Sequence, residues 1–453
     1  MQPRNIRAYA VLAALALAAQ SAFAGVPAGE AAKLGRELTA VGGEKAGNAD
    51  GTIPAYTGGI TTPPAGYRVG IFHPDPYAAD QPLFTIDRSN YQDYAAKLTE
   101  GQKAMFAKYP SFKMVVYPTR RSAAFAQRTI EFTQKNATSC NLVADGEGVQ
   151  NCAEGFPFPI PKNGYELIWN HKLKYKGVAN QRWSNQVAPT ASGAYTVVRL
   201  RDESLGLYYK PGNTSENINN VLIYFFQVVE GPARLAGNVL LVHETLNQAA
   251  QPRQAWIYNP GQRRVRRAPN VAYDNPGTAS DGLRTNDMFD MFNGASDRHD
   301  LKLIGKREMY VPYNSYKVHS DKVKVKDMIR PGHINPDLLR YELHRVWIVE
   351  GTLKAGKRHI NPRRTFYLDE DSYQILVLDH YDGRGQLWRY SEAPSIQYWE
   401  APTFWTTLET HHDLQSGRYI ALGVDNEETP PDFSYVTTPH DFSPQSLRKR
   451  GIR

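Results

Sequence analysis

Arg340-Tyr341-Glu342-Leu343-His344-Arg345-Val346-Trp347-Ile348-Val349-Glu350 is the stretch whose pattern decides the fold. Its β-branched and aromatic residues favour a pleated strand. Neither of its two alternating faces is cleanly polar, and Val221 to Val229 is apolar on both sides. Strands of that kind are covered on both faces, here by helices or by a bound apolar molecule. Similar runs surround the stretch. Upstream lie Tyr195–Arg201, Val221–Glu230, Ala236–Thr245, Gln254–Tyr258 and Arg263–Arg267. Asp300–Glu308 precedes it, and Arg363–Leu368, Tyr373–Asp379 and Gln386–Tyr390 follow, extended by Gln397–Leu408 and Arg418–Val424. Tight-turn residues such as Asp369-Glu370-Asp371 and Asp382-Gly383-Arg384-Gly385 join them. Short connections require antiparallel pairing, so residues 165–424 are expected to form a β-meander. The 27 tyrosines suit wide strands with one ring face packed and the hydroxyl wet.

The segment before this meander reads differently. Residues 25–75 are rich in Gly, Pro, Ala and Thr, and Gly42-Gly43 and Pro63-Pro64 break any regular element. They predict an extended arm that lies over the domain or seeks a partner. Residues 76–136 suit helix. Asn90 can cap a helix carrying Tyr91, Tyr94, Ala95 and Leu98, which Pro110 stops, and a second is expected over Ser122–Asn136. Residues 76–453 thus form a single α+β, mainly β, domain.

The extreme N-terminus has the three parts of a secretory leader. Arg4 and Arg7 precede the apolar run Tyr9–Ala19, and Ala22-Phe23-Ala24 supplies the small-x-small pattern, placing cleavage after Ala24. The run is too short to span a hydrocarbon core of ~30 Å, and no cysteine stands there for lipidation. Export to the periplasm, or to the periplasmic side of the outer membrane, follows. It makes the two cysteines, Cys140 and Cys152, a disulfide closing a small loop. The net charge of +8 includes the leader arginines and is spread along the chain, without the concentrated stripe that nucleic-acid binding needs.

No catalytic constellation emerges, so the chain reads as a non-enzyme without metal or cofactor. There is no G-x-S-x-G elbow. His243-Glu244-Thr245-Leu246-Asn247 starts like a zincin motif but ends on Asn247. His411-His412-Asp413 would point to alternate faces of a strand. Were an enzyme hidden here, His243, Glu244, His411 and Asp413 would be the first suspects. Asp281, Asp287, Asp290 and Asp297 lie in a Gly-rich stretch read as a solvated acidic loop, without calcium-loop spacing. The cluster Arg263, Arg264, Arg266 and Arg267 is either a charged edge strand guarded against aggregation or a contact for headgroups or an acidic partner.

Several stretches resemble a known family: Asp50-Gly51-Thr52-Ile53-Pro54-Ala55-Tyr56-Thr57-Gly58-Gly59, Phe156-Pro157-Phe158-Pro159-Ile160-Pro161, Trp169-Asn170-His171, Arg340 to Trp347, and Trp256 to Pro269. On these the chain is similar to the proteobacterial family catalogued as domain of unknown function 1329, grouped with the LolA/LolB-like lipoprotein carriers. The resemblance implies a large curved antiparallel sheet, a half-open barrel, wrapped around a few helices with an apolar cavity between. It further implies a periplasmic carrier or bridge for a hydrophobic molecule (a lipid or lipoprotein acyl chains), working with an RND-type inner-membrane transporter and an outer-membrane β-barrel. A structural adaptor that carries nothing is the alternative. Aromatic candidates for the lining are Tyr224, Phe225, Phe226, Tyr341 and Trp347.

Overall fold

A computed structural model describes residues 25–269 and 271–451, so the expected leader lies outside the described residues. Residues 25–83 carry one helical turn, Ala28–Ala31, among turns and bends. They lie on the domain, with Val41 and Ile53 buried. Gly42 sits at φ +102°, and a Cβ there would fall 1.6 Å from the Pro159 carbonyl oxygen. Only glycine permits that approach. Arg121 fastens the arm. Its guanidinium donates to both carboxylate oxygens of Asp371 at 2.7 Å, reaches Glu370 at 3.2 Å, and donates to the carbonyl oxygens of Glu44 and Pro54 at 2.7 and 3.3 Å. A planar fork suits this many acceptors at once.

Strands β1 (Phe84–Ile86) and β2 (Met114–Val116) flank the first helical stretch. Tyr91–Lys97 is a 3-10 segment, and α1 (Glu100–Lys108) follows, capped reciprocally by Thr99 and Gln102 and ending before Pro110. Helix α2 spans Gln127–Ser139, not Ser122 onward. The reason is tertiary: Ile60 N–H donates to the Ser122 carbonyl and Ala124 N–H donates to Gln397 Oε1, which holds this backbone extended. Cys140 and Cys152 form the expected disulfide, Cα–Cα 4.8 Å, around the hairpin β3 (Asn141–Val143) and β4 (Gly148–Gln150). Helix α3 (Gly164–Lys172), capped by the Asn163 side chain, is buried almost throughout.

The remaining strands build one large sheet. They are β5 (Ala179–Trp183), β6 (Gln186–Val187), β7 (Val197–Gly206), β8 (Val221–Gly231), β9 (Val239–Thr245), β10 (Gln254–Asn259) and β11 (Arg264–Arg267). Then come β12 (His299–Pro312), β13 (Tyr341–Leu353), β14 (Arg363–Asp369), β15 (Ile375–Tyr381) and β16 (Leu387–Glu392). β17 (Ser395–Tyr398) and β18 (Thr403–Thr406) form a separate hairpin where a single extension was expected, and β19 (Glu409–Asp413) and β20 (Arg418–Leu422) complete the set. The sheet is open, not a closed barrel, and it is not a meander in simple chain order. Its path runs β1-β2-β13-β14-β15-β16-β19-β20-β6-β7-β8-β9-β10-β11, with β12 beside β13 and β5 beside β7. The chain's last strand, β20, therefore returns to pair with β6, joining two antiparallel halves. β2 meets β13 in parallel.

The main core lies between the β12–β16 half and helices α1 and α3, where Met105, Phe106, Leu167 and Ile168 meet Val349 and Phe366. A C-terminal helix, α4 (Pro444–Gly451), covers one face of β8–β10 with Phe442 and Leu447.

Two consequences are measurable. Replacing Arg121 by Met leaves Asp371 buried without its cation, whereas Glu370 keeps Arg345 and Lys306. The change is expected to cost about 3–5 kcal/mol in urea unfolding. An unchanged midpoint would mean the arm is held elsewhere. The second concerns Glu392, whose Oε2 accepts from the Tyr341 and Tyr390 hydroxyls at 2.9 Å each. Burial pushes its carboxyl up to about 7. Because the folded value lies above the unfolded one of about 4.3, the stability it contributes is full below that value and lost as pH rises through 7. Glu392→Gln is expected to match wild type near pH 4 and to exceed it by roughly 3 kcal/mol at pH 8, read from unfolding curves across that range.

Candidate functional site

Paired residues on neighbouring strands share one face of a sheet. On β5 to β11, one such row runs Arg182, Asp202, Gln227, Leu240, Ile257, Arg266. The next runs Asn180, Ser204, Phe225, Val242, Ala255. The members from Arg182 to Leu240 and from Asn180 to Val242 floor a cavity of about 130 Å³. Its opposite wall comes from the 271–293 stretch, through Val271, Phe289 and Phe292, and from Trp405 of β18. Most of the lining side chains near β8 and β9 are apolar, while its inner end is charged.

The 271–298 stretch is not the solvated loop its composition predicts. Leu283, Met288, Met291 and Phe292 are buried, and so are Asp287 and Asp290. Buried carboxylates demand partners, and each has its own. Asp287 meets Arg364 at 2.6 Å and His359 at 3.1 Å. Asp290 meets Lys176 at 2.6 Å and Lys174 at 3.4 Å, and accepts from the Trp405 indole at 3.0 Å. Burial alone would raise both acids, yet these cations hold both well below the usual carboxylate range. Burial in turn pushes Lys174 down to about 7 and Lys172 to about 8. Asp281 is exposed beside Arg418, and Asp297 pairs with Lys357.

The aromatic candidates are distributed over different environments. Phe225 lines the cavity. Tyr224 and Phe226, its neighbours in sequence, necessarily point to the opposite face, where both stack on Phe442 at 5.7 and 5.2 Å. Tyr341 is in the main core, and Trp347 is half-buried under the Lys306 ammonium at 4.8 Å. The basic cluster forms the outer edge of the sheet. Arg263 occupies the turn at φ 51°, and Arg264, Arg266 and Arg267 are exposed on β11. Arg266 lies opposite Ile257, which is 42 % exposed, so the row passes from half-buried Leu240 through open isoleucine to arginine. Asp202, Arg284 and the alternating Lys172, Lys174 and Lys176 escaped sequence reading. The alternation just before β5 was their only signal.

The suspected catalytic residues do not converge. His243 Nε2 donates to the Phe442 carbonyl oxygen at 2.8 Å on the α4 face, whereas Glu244 faces the cavity and pairs with Arg253 at 2.5 Å. His411 contacts Ser391 at 2.8 Å; Asp413 accepts from the Trp388 indole at 3.1 Å. His344, Asp369 and Asp371 do approach one another in the core. Arg121 already occupies both Asp371 oxygens, Tyr313 and Ser372 donate to Asp369, and Glu342 holds His344 at 3.0 Å. That arrangement is an ion-pair knot anchoring the arm.

Among the described residues, no helix is long and apolar enough to cross a membrane. The chain is 51 % identical over 455 residues to an uncharacterized protein of Pseudomonas aeruginosa, covering 100 % of both. Solved structures overlap it in part. A putative outer membrane lipoprotein-sorting protein domain from Vibrio parahaemolyticus has a TM-score of 0.43 at 15 % identity, over 63 % of this chain and 98 % of that one. A DUF1329 family protein from Desulfovibrio piger gives 0.44 at 15 %, over 63 % and 97 %. A LolA superfamily protein from Nitrosomonas europaea gives 0.39 at 11 %, over 62 % and 98 %. The family model for proteins of unknown function DUF1329 matches residues 85–448, and the chain belongs to that family.

Proposed function

We propose that this protein is a periplasmic carrier that binds a hydrophobic molecule, a lipid or an acyl chain, in the cavity floored by β5 and β7 to β9. The cavity is the observation that carries the reading. It is lined by Phe225, Leu240 and Val242 on the sheet and by Val271, Phe289 and Phe292 across it. Its floor continues outward to the open Ile257. Each methylene moved from water into such a site gains about 0.8 kcal/mol. Carrying of this kind needs no acid, base or metal, in keeping with the scattered positions of His243, Glu244, His411 and Asp413. In this reading an RND-type inner-membrane transporter and an outer-membrane β-barrel are the two ends of the route. The adaptor alternative gains less support, because residues 41–56 of the arm are already fastened to their own domain through Arg121.

The edge strand β11 is where the carrier meets a headgroup surface or an acidic partner. Arg264 and Arg266 are exposed on one face of β11, and Val265, 37 % exposed, and Arg267 are on the other, so cations line this edge on both faces with one apolar side chain among them. A surface arginine contributes about 1 kcal/mol at an anionic membrane. Arg264→Glu with Arg266→Glu is therefore expected to weaken binding to vesicles rich in phosphatidylglycerol at least tenfold, with unfolding unchanged. Equal binding of both proteins in a sedimentation assay would remove the strand from the docking surface.

The carrier reading is tested on protein taken from its own periplasm without detergent. Native mass spectrometry is expected to show a discrete extra mass that solvent extraction resolves into an apolar compound. Val242→Trp, which fills the cavity, should abolish it. A bare polypeptide mass in both proteins would favour the adaptor.

A further inference from the structure

The lining of the cavity carries more basic than acidic side chains. Five lining residues are basic (Lys172, Lys176, Arg182, Arg253 and Arg284) and three are acidic (Asp202, Glu244 and Asp290). Two pairs close on themselves, Lys176 with Asp290 at 2.6 Å and Arg253 with Glu244 at 2.5 Å. Lys172 then has Glu244 and Glu147 as its acidic neighbours, while Arg182 and Arg284 have Asp202 and Glu409.

None of the three is well matched. Lys172 donates to the Gly294 carbonyl oxygen at 3.2 Å and lies over the Trp169 ring. Arg182 comes no nearer than 3.9 Å to Asp202. Arg284 is 3 % exposed, donates from Nη1 to the Thr285 carbonyl oxygen at 3.4 Å, and its Nε has no partner among the described residues. Asp202 is a weak counter-charge. Its Oδ1 accepts from Gln227 at 3.0 Å, its Oδ2 is unpartnered, and burial pushes its carboxyl up. Glu409, behind the lining, is likewise pushed up to about 7 by burial and by Asp290. Both guanidinium groups sit near one ring, Arg182 at 5.7 Å and Arg284 at 5.9 Å from the Phe289 centroid.

Buried guanidinium groups without carboxylate partners are costly, and an anion that reaches them forms charge-assisted hydrogen bonds in a fork geometry. We infer that the cavity takes a single-chain amphiphile with an anionic head, a carboxylate or a phosphate monoester, its head received by Arg182 and Arg284 and its chain lying along Phe225, Leu240 and Val242. This rests on the carrier reading and narrows its cargo. A cationic head would add like charge to the same end and is excluded by the same argument.

The test is a calorimetric titration of delipidated full-length mature protein at pH 7.5, below the micelle concentration, with four probes of equal chain. They are decanoate, decyl phosphate, decanol and decyltrimethylammonium. The two anions are expected to bind at least tenfold tighter than decanol, and the ammonium compound most weakly. Their ratio tells a carboxylate cargo from a phosphate one. Arg284→Gln should bring the anions down to the affinity of decanol while leaving decanol unchanged. Asp202→Asn removes the residual counter-charge, so it should tighten the anions several-fold; it gives an independent reading if Arg284→Gln fails to fold. Decanol binding as tightly as the anions in wild type, or an anion preference untouched by both variants, would overturn the head assignment and leave the carrier standing. If none of the four binds, the carrier reading falls with it.

Discussion

The tie on which the rest of this structure depends is the buried carboxylate of Asp290. It draws Lys176, Lys174 and the Trp405 indole onto one group, and its backbone carbonyl oxygen is met by His171 at 2.8 Å. Four elements therefore converge on one residue: the end of α3, the approach to β5, the β17–β18 hairpin and the 271–298 stretch. A large open sheet needs both faces covered, since its inner strands are apolar on both sides. Helices α1 and α3 cover the β12–β16 half. Over β7 to β10 that task falls to an irregular segment, and irregular backbone stays buried only when its polar groups are matched. Asp290 and Asp287 supply that match, and the cavity is the space left between the segment they hold and the sheet.

Much of the fold was legible because the strands are long and their connections short. The runs at 221–230, 254–258 and 363–368 need only a residue or two at their ends to become β8, β10 and β14. Topology was less legible. Nothing in the pattern of β20 announces that it pairs with β6, more than two hundred residues earlier, because period-two alternation carries no address. The two-residue β6 is too short to leave any pattern at all. Helix α2 starts five residues after the sequence pattern predicts, since Ser122 to Ala126 is helix-compatible in isolation and is held extended by Ile60 and Gln397 from distant parts of the chain.

The site was harder to read than the fold for a related reason. Tyr224, Phe225 and Phe226 are all aromatic, but a strand lets either the middle one or the outer two face the cavity, and the choice of face is a tertiary fact. The stretch around Asp281 to Asp297 reads as a solvated loop from its local Gly, Asn and Asp content. What decides its burial is a set of cations at 174, 176 and 364, remote in sequence. Burial of a carboxylate is a property of its partner, and a lone sequence does not name the partner.

The dimensions of the cavity constrain what such a carrier can hold. About 130 Å³ is close to the size of engineered cavities that accept a single benzene ring. A molecule with several acyl chains does not fit such a space, whereas the end of one chain does, with the remainder running out along Leu240 and Ile257 toward β11. The row from Arg182 to Arg266 then has a physical order. Buried charge stands at its inner end, apolar side chains in the middle, and exposed charge at its rim. A chain drawn along that row exchanges water for leucine and isoleucine at each step, so the pull inward is spread over the path and no single contact must be broken to reverse it. Affinity built from many weak apolar contacts, with one charged group to fix orientation, allows release as well as capture.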